Sequence, residues 1–263
     1  MNDILLKTAY IFYLVSAGFF SIQFFSSGRT WDKAARAVLK TGFVIQTAMV
    51  GVRWYEAGRP PFASMYEALI LFAWSVILVY IIFEQIYKIR SLAIPVNILA
   101  VVFLSAALPS ESAIKPLVPA LQSKWMSVHV ITYFIGYGAL SIAFVLSAVY
   151  LLLAYQNNSA QKVLDRVDEY IYRLIIFGFP FLTIGMTTGS VWANSAWGSY
   201  WNWDPKETCS LITWLVYAVY LHARILKGWK HKKSAYLSLL GFLATLFTFI
   251  GVNFILPGLH SYS

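Results

Sequence analysis

Apolar runs long enough, or nearly long enough, to cross a bilayer recur eight times along this 263-residue chain, and nothing constrains its fold more. They fall at Ile4–Phe25, Val38–Tyr55, Met65–Tyr87, Ser91–Leu108, Met126–Tyr155, Tyr170–Val191, Cys209–Leu226 and Ala235–Leu256. A hydrocarbon core about 30 Å thick takes about 20 helical residues, and a chain in lipid must satisfy its backbone polar groups internally. The reading is an all-α polytopic membrane helix bundle of about eight transmembrane helices, a single domain over residues 1–263. The second and fourth runs are the weakest: Lys40 and Arg53 trim the one, and Pro95 and Asn97 interrupt the other. Composition agrees, since 12% of residues are charged against about 25% in soluble domains. The first run lacks a small-residue cleavage site and is expected to be retained as a span.

Basic residues give the orientation. Fourteen of the twenty Lys and Arg fall in the odd-numbered connections, around Arg29–Lys40, Lys88–Arg90, Lys162–Arg173 and Arg224–Lys233. By the positive-inside rule those connections face the cytoplasm and both termini lie outside. The net charge of +9 therefore reports orientation, and no nucleic-acid partner is expected. A single cysteine, Cys209, excludes an intrachain disulfide and a CxxC redox pair. Val163, Leu164, Val167, Tyr170 and Ile171 follow helical spacing, with charges between them. They read either as an amphipathic helix on the inner surface or as an extension of the sixth span.

The connection before the seventh span, Trp192–Thr208, is expected outside and carries Trp192, Trp197, Tyr200, Trp201 and Trp203 within twelve residues. Aromatic belts place Trp and Tyr at helix ends, but four indoles beside Gly198 in one short loop suit a flat apolar platform for a large planar ligand better. Asp204, Pro205 and Glu207 have the spacing of an N-cap, a first helical residue and a capping-box partner.

The four histidines are His129, His222, His231 and His260. His129 near the outer end of span five and His260 beyond the outer end of span eight fall on the same side as the Trp loop. Two imidazoles flanking an aromatic plate would supply the axial ligands of an iron porphyrin. His222 lies roughly 20 Å along span seven from Cys209, where an imidazole either marks a functional site or snorkels toward Arg224. His231, in the basic run Lys230–Lys233, reads as solvated. Between spans two and three, Glu67 calls for a basic partner. Arg53 and Arg59 are the candidates, for it or for an anionic ligand group such as a haem propionate.

The run Trp197-Gly198-Ser199-Tyr200-Trp201-Asn202-Trp203-Asp204-Pro205-Lys206-Glu207-Thr208 resembles the WWD signature of haem-handling membrane proteins in cytochrome c maturation. Within that superfamily the chain is most similar to the CcsA (ResC) proteins of system II, through Arg53–Glu67, Leu164–Trp203, Trp214–Arg224 and Gly258–Ser261. The resemblance implies that His129 and His260 are external haem-iron ligands and His222 an intramembrane one. It implies that Trp197, Gly198, Trp201, Trp203 and Asp204 contact the haem edge, and that a CcsB (ResB)-type membrane partner supplies a second intramembrane histidine. Many relatives carry His where this chain has Arg59, so that loop receives no ligand role.

The resemblance further implies a subunit of a cytochrome c haem lyase, in a bacterial cytoplasmic membrane or, alternatively, a thylakoid. Haem b, transiently bound as substrate, crosses by a path involving His222 and docks between His129 and His260 against the Trp loop. The thiols of an apocytochrome c CxxCH segment then add across its vinyl groups. No side chain is assigned as a catalytic acid or base. Two other classes stay open: a haem transporter or chaperone that delivers haem without ligation, and a redox enzyme with a permanent bis-His haem.

Overall fold

The computed structural model describes residues 1–25, 30–89, 92–156 and 161–255. They are helical almost throughout. The order is α1 (Asn2–Phe25), α2 (Thr30–Ala57), α3 (Met65–Tyr87), α4 (Ala93–Ala107), α5 (Lys124–Tyr155), α6 (Gln161–Trp197), α7 (Pro205–Leu226) and α8 (Lys232–Leu246). A π-helical turn, Phe247–Gly251, and a short α9, Val252–Ile255, continue α8. The eight apolar runs thus become eight main helices. Six helical stretches are long and apolar enough to span a membrane: α1, α3, α5, α6, α7, and α8 together with its π turn. The two weak runs are the exceptions, for α4 has only 15 residues and α2 is too polar.

Two units form by packing. In the first, Met1–Leu117, buried polar side chains stitch the helices together. Tyr13 Oη donates to Gln46 Oε1 at 2.7 Å, Gln46 Nε2 to the Ile70 carbonyl at 3.0 Å, and Asn97 Nδ2 to the Tyr13 carbonyl at 3.1 Å. Gln46 of α2, and Asn97, one of the two residues that interrupt the α4 run, therefore face inward and are partnered on the neighbouring helices. In an apolar solvent such bonds contribute to helix association alongside close packing.

In the second unit, from Val118 onward, α5 and α6 pack along a stripe of small residues. A Cβ added at Gly136 would lie 3.3 Å from the Gly178 carbonyl, and one at Gly178 would lie 3.2 Å from the Gly136 carbonyl. Backbones approach this closely only where side chains are absent. At 37 residues, α6 is about 55 Å long, well beyond a bilayer core. The amphipathic stretch from Val163 to Ile171 is its first part, so of the two readings of that stretch the helical extension is the one observed. Its N-terminal end is fastened by an ion pair of 2.6 Å between Arg224 and Asp168, both buried, while Asp168 Oδ1 also accepts the His231 backbone N–H at 2.9 Å.

The Trp segment differs from its reading as a loop over 192–208. α6 runs on through Trp197, and only Gly198–Asp204 is non-helical. Asn194, Ser195 and the tryptophans have modest helix propensities, yet propagation from a long packed helix carries them, since each further residue adds one backbone bond.

Candidate functional site

His129 sits in the second turn of α5, whose start is fixed by Ser123 accepting the Trp125 N–H at 3.3 Å. Its Nδ1 lies 2.8 Å from the Gly185 carbonyl on α6. A carbonyl only accepts, so Nδ1 carries the hydrogen, and in the neutral imidazole Nε2 is then the nitrogen with the lone pair. Tyr133 meets the ring edge-on, with centroids 4.8 Å apart, and Trp192 lies near-parallel to it at 6.1 Å and 28°. Trp192 is itself pinned: it is buried, and its Nε1 donates to the Ala120 carbonyl at 2.7 Å. Trp197 packs edge-on against Trp192 at 4.7 Å. The histidine and the first two tryptophans of the segment therefore form one contiguous aromatic group.

Beyond Trp197 the chain turns at Gly198, φ +76°, a conformation that disfavours any side chain. Trp201 and Trp203 meet at right angles, 5.8 Å apart. Trp203 has φ +57° and is 69% exposed, so a bulky residue is held both in the left-handed region and in the open. Asp204 caps α7 by accepting the Lys206 N–H at 2.9 Å, Pro205 follows, and Glu207 completes the capping box. Glu207 does more than its spacing suggests, because its Oε2 accepts the N–H groups of both Asn202 (2.8 Å) and Asp204 (3.3 Å), tying the loop to the helix start. The Asp204 carboxylate is thus engaged at the cap.

The other predicted site residues lie elsewhere. His260 lies outside the described residues. His222 is about 26 Å along α7 from Pro205, one turn before the end of that helix. It is exposed, on the outward face that also carries the exposed Ile212, Leu215 and Val219. It is not gathered with His129. In the first unit, Glu67 is wholly enclosed and bridges two guanidinium groups, at 2.9 Å to Arg53 Nε and 2.9 Å to Arg59 Nη1. Arg53 also donates to the Ser112 carbonyl and Arg59 to that of Lys115. This is the structural ion link that the sequence anticipates. Among the described residues no three His, Cys, Asp or Glu gather to hold a bare metal ion. An iron already held by a porphyrin needs only axial ligands, and a lone imidazole beside an aromatic wall suits that demand.

Sequence reasoning misses Tyr133, Gly185 and Gly189. The signal is present as Gly185-x-x-x-Gly189, the spacing that lets helices meet closely.

Together these features define a class, a polytopic helix bundle in which a seated histidine adjoins the tryptophans that lead into a capped loop. The family described as Cytochrome C assembly protein matches residues 62–260. Relatives described as cytochrome c biogenesis protein CcsA include that of Chlamydomonas reinhardtii, 41% identical over 86% of this chain and 67% of its own length. Those of Guillardia theta (41%, 82% of this chain, 81% of its own length) and Prochlorococcus marinus strain NATL1A (36%, 97% and 92%) are similar. The chain therefore belongs to the cytochrome c assembly family, among its CcsA cytochrome c biogenesis proteins. The fold is shared with a solved structure, the cytochrome c haem lyase CcmF. That likeness has a TM-score of 0.72 at 18% identity, over 94% of this chain and 46% of the longer CcmF chain.

Proposed function

We propose that this chain takes haem b as a transiently bound substrate at the end of the bundle where α6 meets α7, and presents it for thioether attachment to the CxxCH segment of apocytochrome c. His129 is one axial ligand and His260 the other, with Trp197, Trp201 and Trp203 against the porphyrin edge. The observation that carries this reading is the seat of His129: its Nδ1 proton is committed to a carbonyl, so Nε2 has the lone pair an iron needs, with Trp192 against the ring and Trp197, the first tryptophan of the signature, packed on Trp192. Glu207 and the Asp204 cap hold the loop, and Gly198 keeps its first turn free of bulk. The protein supplies placement and axial ligation, and the bond-forming chemistry is that of the haem vinyl groups and the incoming thiols. His222, polar on an otherwise apolar outward face, is the residue for haem transfer with a CcsB (ResB)-type membrane partner. The membrane is a bacterial cytoplasmic membrane or, alternatively, a thylakoid, with the Trp loop on its outer side.

Coexpression of the chain, its partner and a CxxCH reporter tests this. Covalently haem-stained reporter that disappears with His129→Ala is the expected outcome. Haem bound to the complex with no covalent product would favour delivery without ligation.

A further inference from the structure

We infer that Gly185 and Gly189 of α6 are positioning residues for haem ligation, setting the tautomer and aim of the His129 imidazole. The inference rests on reading His129 as an iron ligand. A helical side chain lies over the turn N-terminal to its own Cα, so the side chain missing at position 189 is the one that would cover the Gly185 carbonyl. That absence lets the imidazole reach the carbonyl. A Cβ at 189 would collide with the His129 ring, 2.6 Å from Cε1 and closer still to Nδ1. A Cβ at 185 would lie 2.7 Å from Tyr133 Cδ2, displacing the ring that meets the imidazole edge-on. Trp192, one further step along the same helical face, covers the imidazole. Residues 185, 189 and 192 thus form a seat at i, i+4 and i+7, complementary to His129 and Tyr133 at i and i+4 of α5.

The acceptor in this seat has a chemical consequence. Metal-bound histidines commonly donate to a carboxylate or a carbonyl, and the partner tunes ligand basicity. A neutral carbonyl leaves an ordinary imidazole, a weaker donor than one paired with a carboxylate. A substrate that must be handed on suits such a ligand, because the histidine of the incoming CxxCH segment can displace it.

The test compares Gly189→Ala with Gly178→Ala in the full chain purified with its partner. Both add one methyl to the tight α5–α6 contact, but Gly178 meets Ala139, Gly136 and Leu140 and no histidine. The readouts are the haem absorption spectrum and the rate of haem loss to excess apomyoglobin. Gly189→Ala should lose the low-spin signal of the His129 site and retain haem about 10–100-fold less well, with free imidazole restoring the spectrum. Gly178→Ala should keep both. A Gly189→Ala protein with wild-type spectrum and retention overturns the inference, as does an equal loss in Gly178→Ala. If His129→Ala itself keeps the wild-type spectrum, the ligand reading fails instead of the seat. Should Gly189→Ala not accumulate, His129→Ala in the same chain removes the colliding ring. Recovered accumulation supports the seat, and its absence overturns it.

Discussion

At the scale of single residues, a proton and a strained backbone carry most of the functional argument. The Gly185 carbonyl fixes the proton on His129 Nδ1, and no feature of the sequence around His129 announces this. The sequence places an imidazole near the helix end, but its partner is 56 positions away. Trp203 is the second case. A left-handed bulky residue costs of order 1–3 kcal/mol, and such strain is retained where something else requires the side chain. Trp203→Gly removes both the strain and the indole. Thermal unfolding of the purified protein should occur at an unchanged or higher temperature, while haem retention falls. A lower unfolding temperature with haem retention intact would assign Trp203 to the fold and not to the site.

At the scale of elements, what the sequence makes legible is length and period. The runs at Met65–Tyr87 and Cys209–Leu226 match α3 and the body of α7 because an unbroken apolar stretch in lipid has no alternative to a helix. The Asp204-Pro205-Lys206-Glu207 start of α7 is equally plain, since capping is local chemistry. The ends of α6 are not. Whether 163–171 lies on the membrane or continues the span, and whether Trp192–Trp197 is loop or helix, depends on tertiary contacts such as Asp168 with Arg224 and Trp192 with the Ala120 carbonyl. Sequence spacing does not encode those contacts. The polar residues of α2 and α4 mislead in a similar way, as Arg53 and Asn97 weaken the span signal yet hold the unit together through Glu67 and the Tyr13 carbonyl. The join of α2 to α3 by Glu67 gives a quantitative expectation. Its two guanidinium partners are 2% and 9% exposed at their side chains, and removing one member of a buried ion group costs about 3–5 kcal/mol. Glu67→Gln should therefore sharply lower the unfolding temperature in detergent, with Arg59→Ala milder because Arg53 still pairs with the carboxylate. Equal, small shifts in both would show that the cluster is wet and weak.

At the scale of the whole molecule, the alternation of basic connections sets a topology that labelling can check. In a Cys209→Ser background, Tyr200→Cys should react with a membrane-impermeant maleimide in intact cells, and Lys230→Cys only after lysis. Reaction of both from outside, or of Lys230→Cys alone, would reverse or break the alternation and remove the Trp loop from the outer surface. The family assignment stands apart from that result, since it rests on relatives 36–41% identical across most of the chain.

The most direct test is the absorption spectrum of the complex purified with its membrane partner, recorded for wild type and His129→Ala before and after adding imidazole. Loss of a six-coordinate low-spin haem signal in the variant, and its return with imidazole, is the predicted result. An identical spectrum in wild type and variant would contradict ligation of the haem iron by His129.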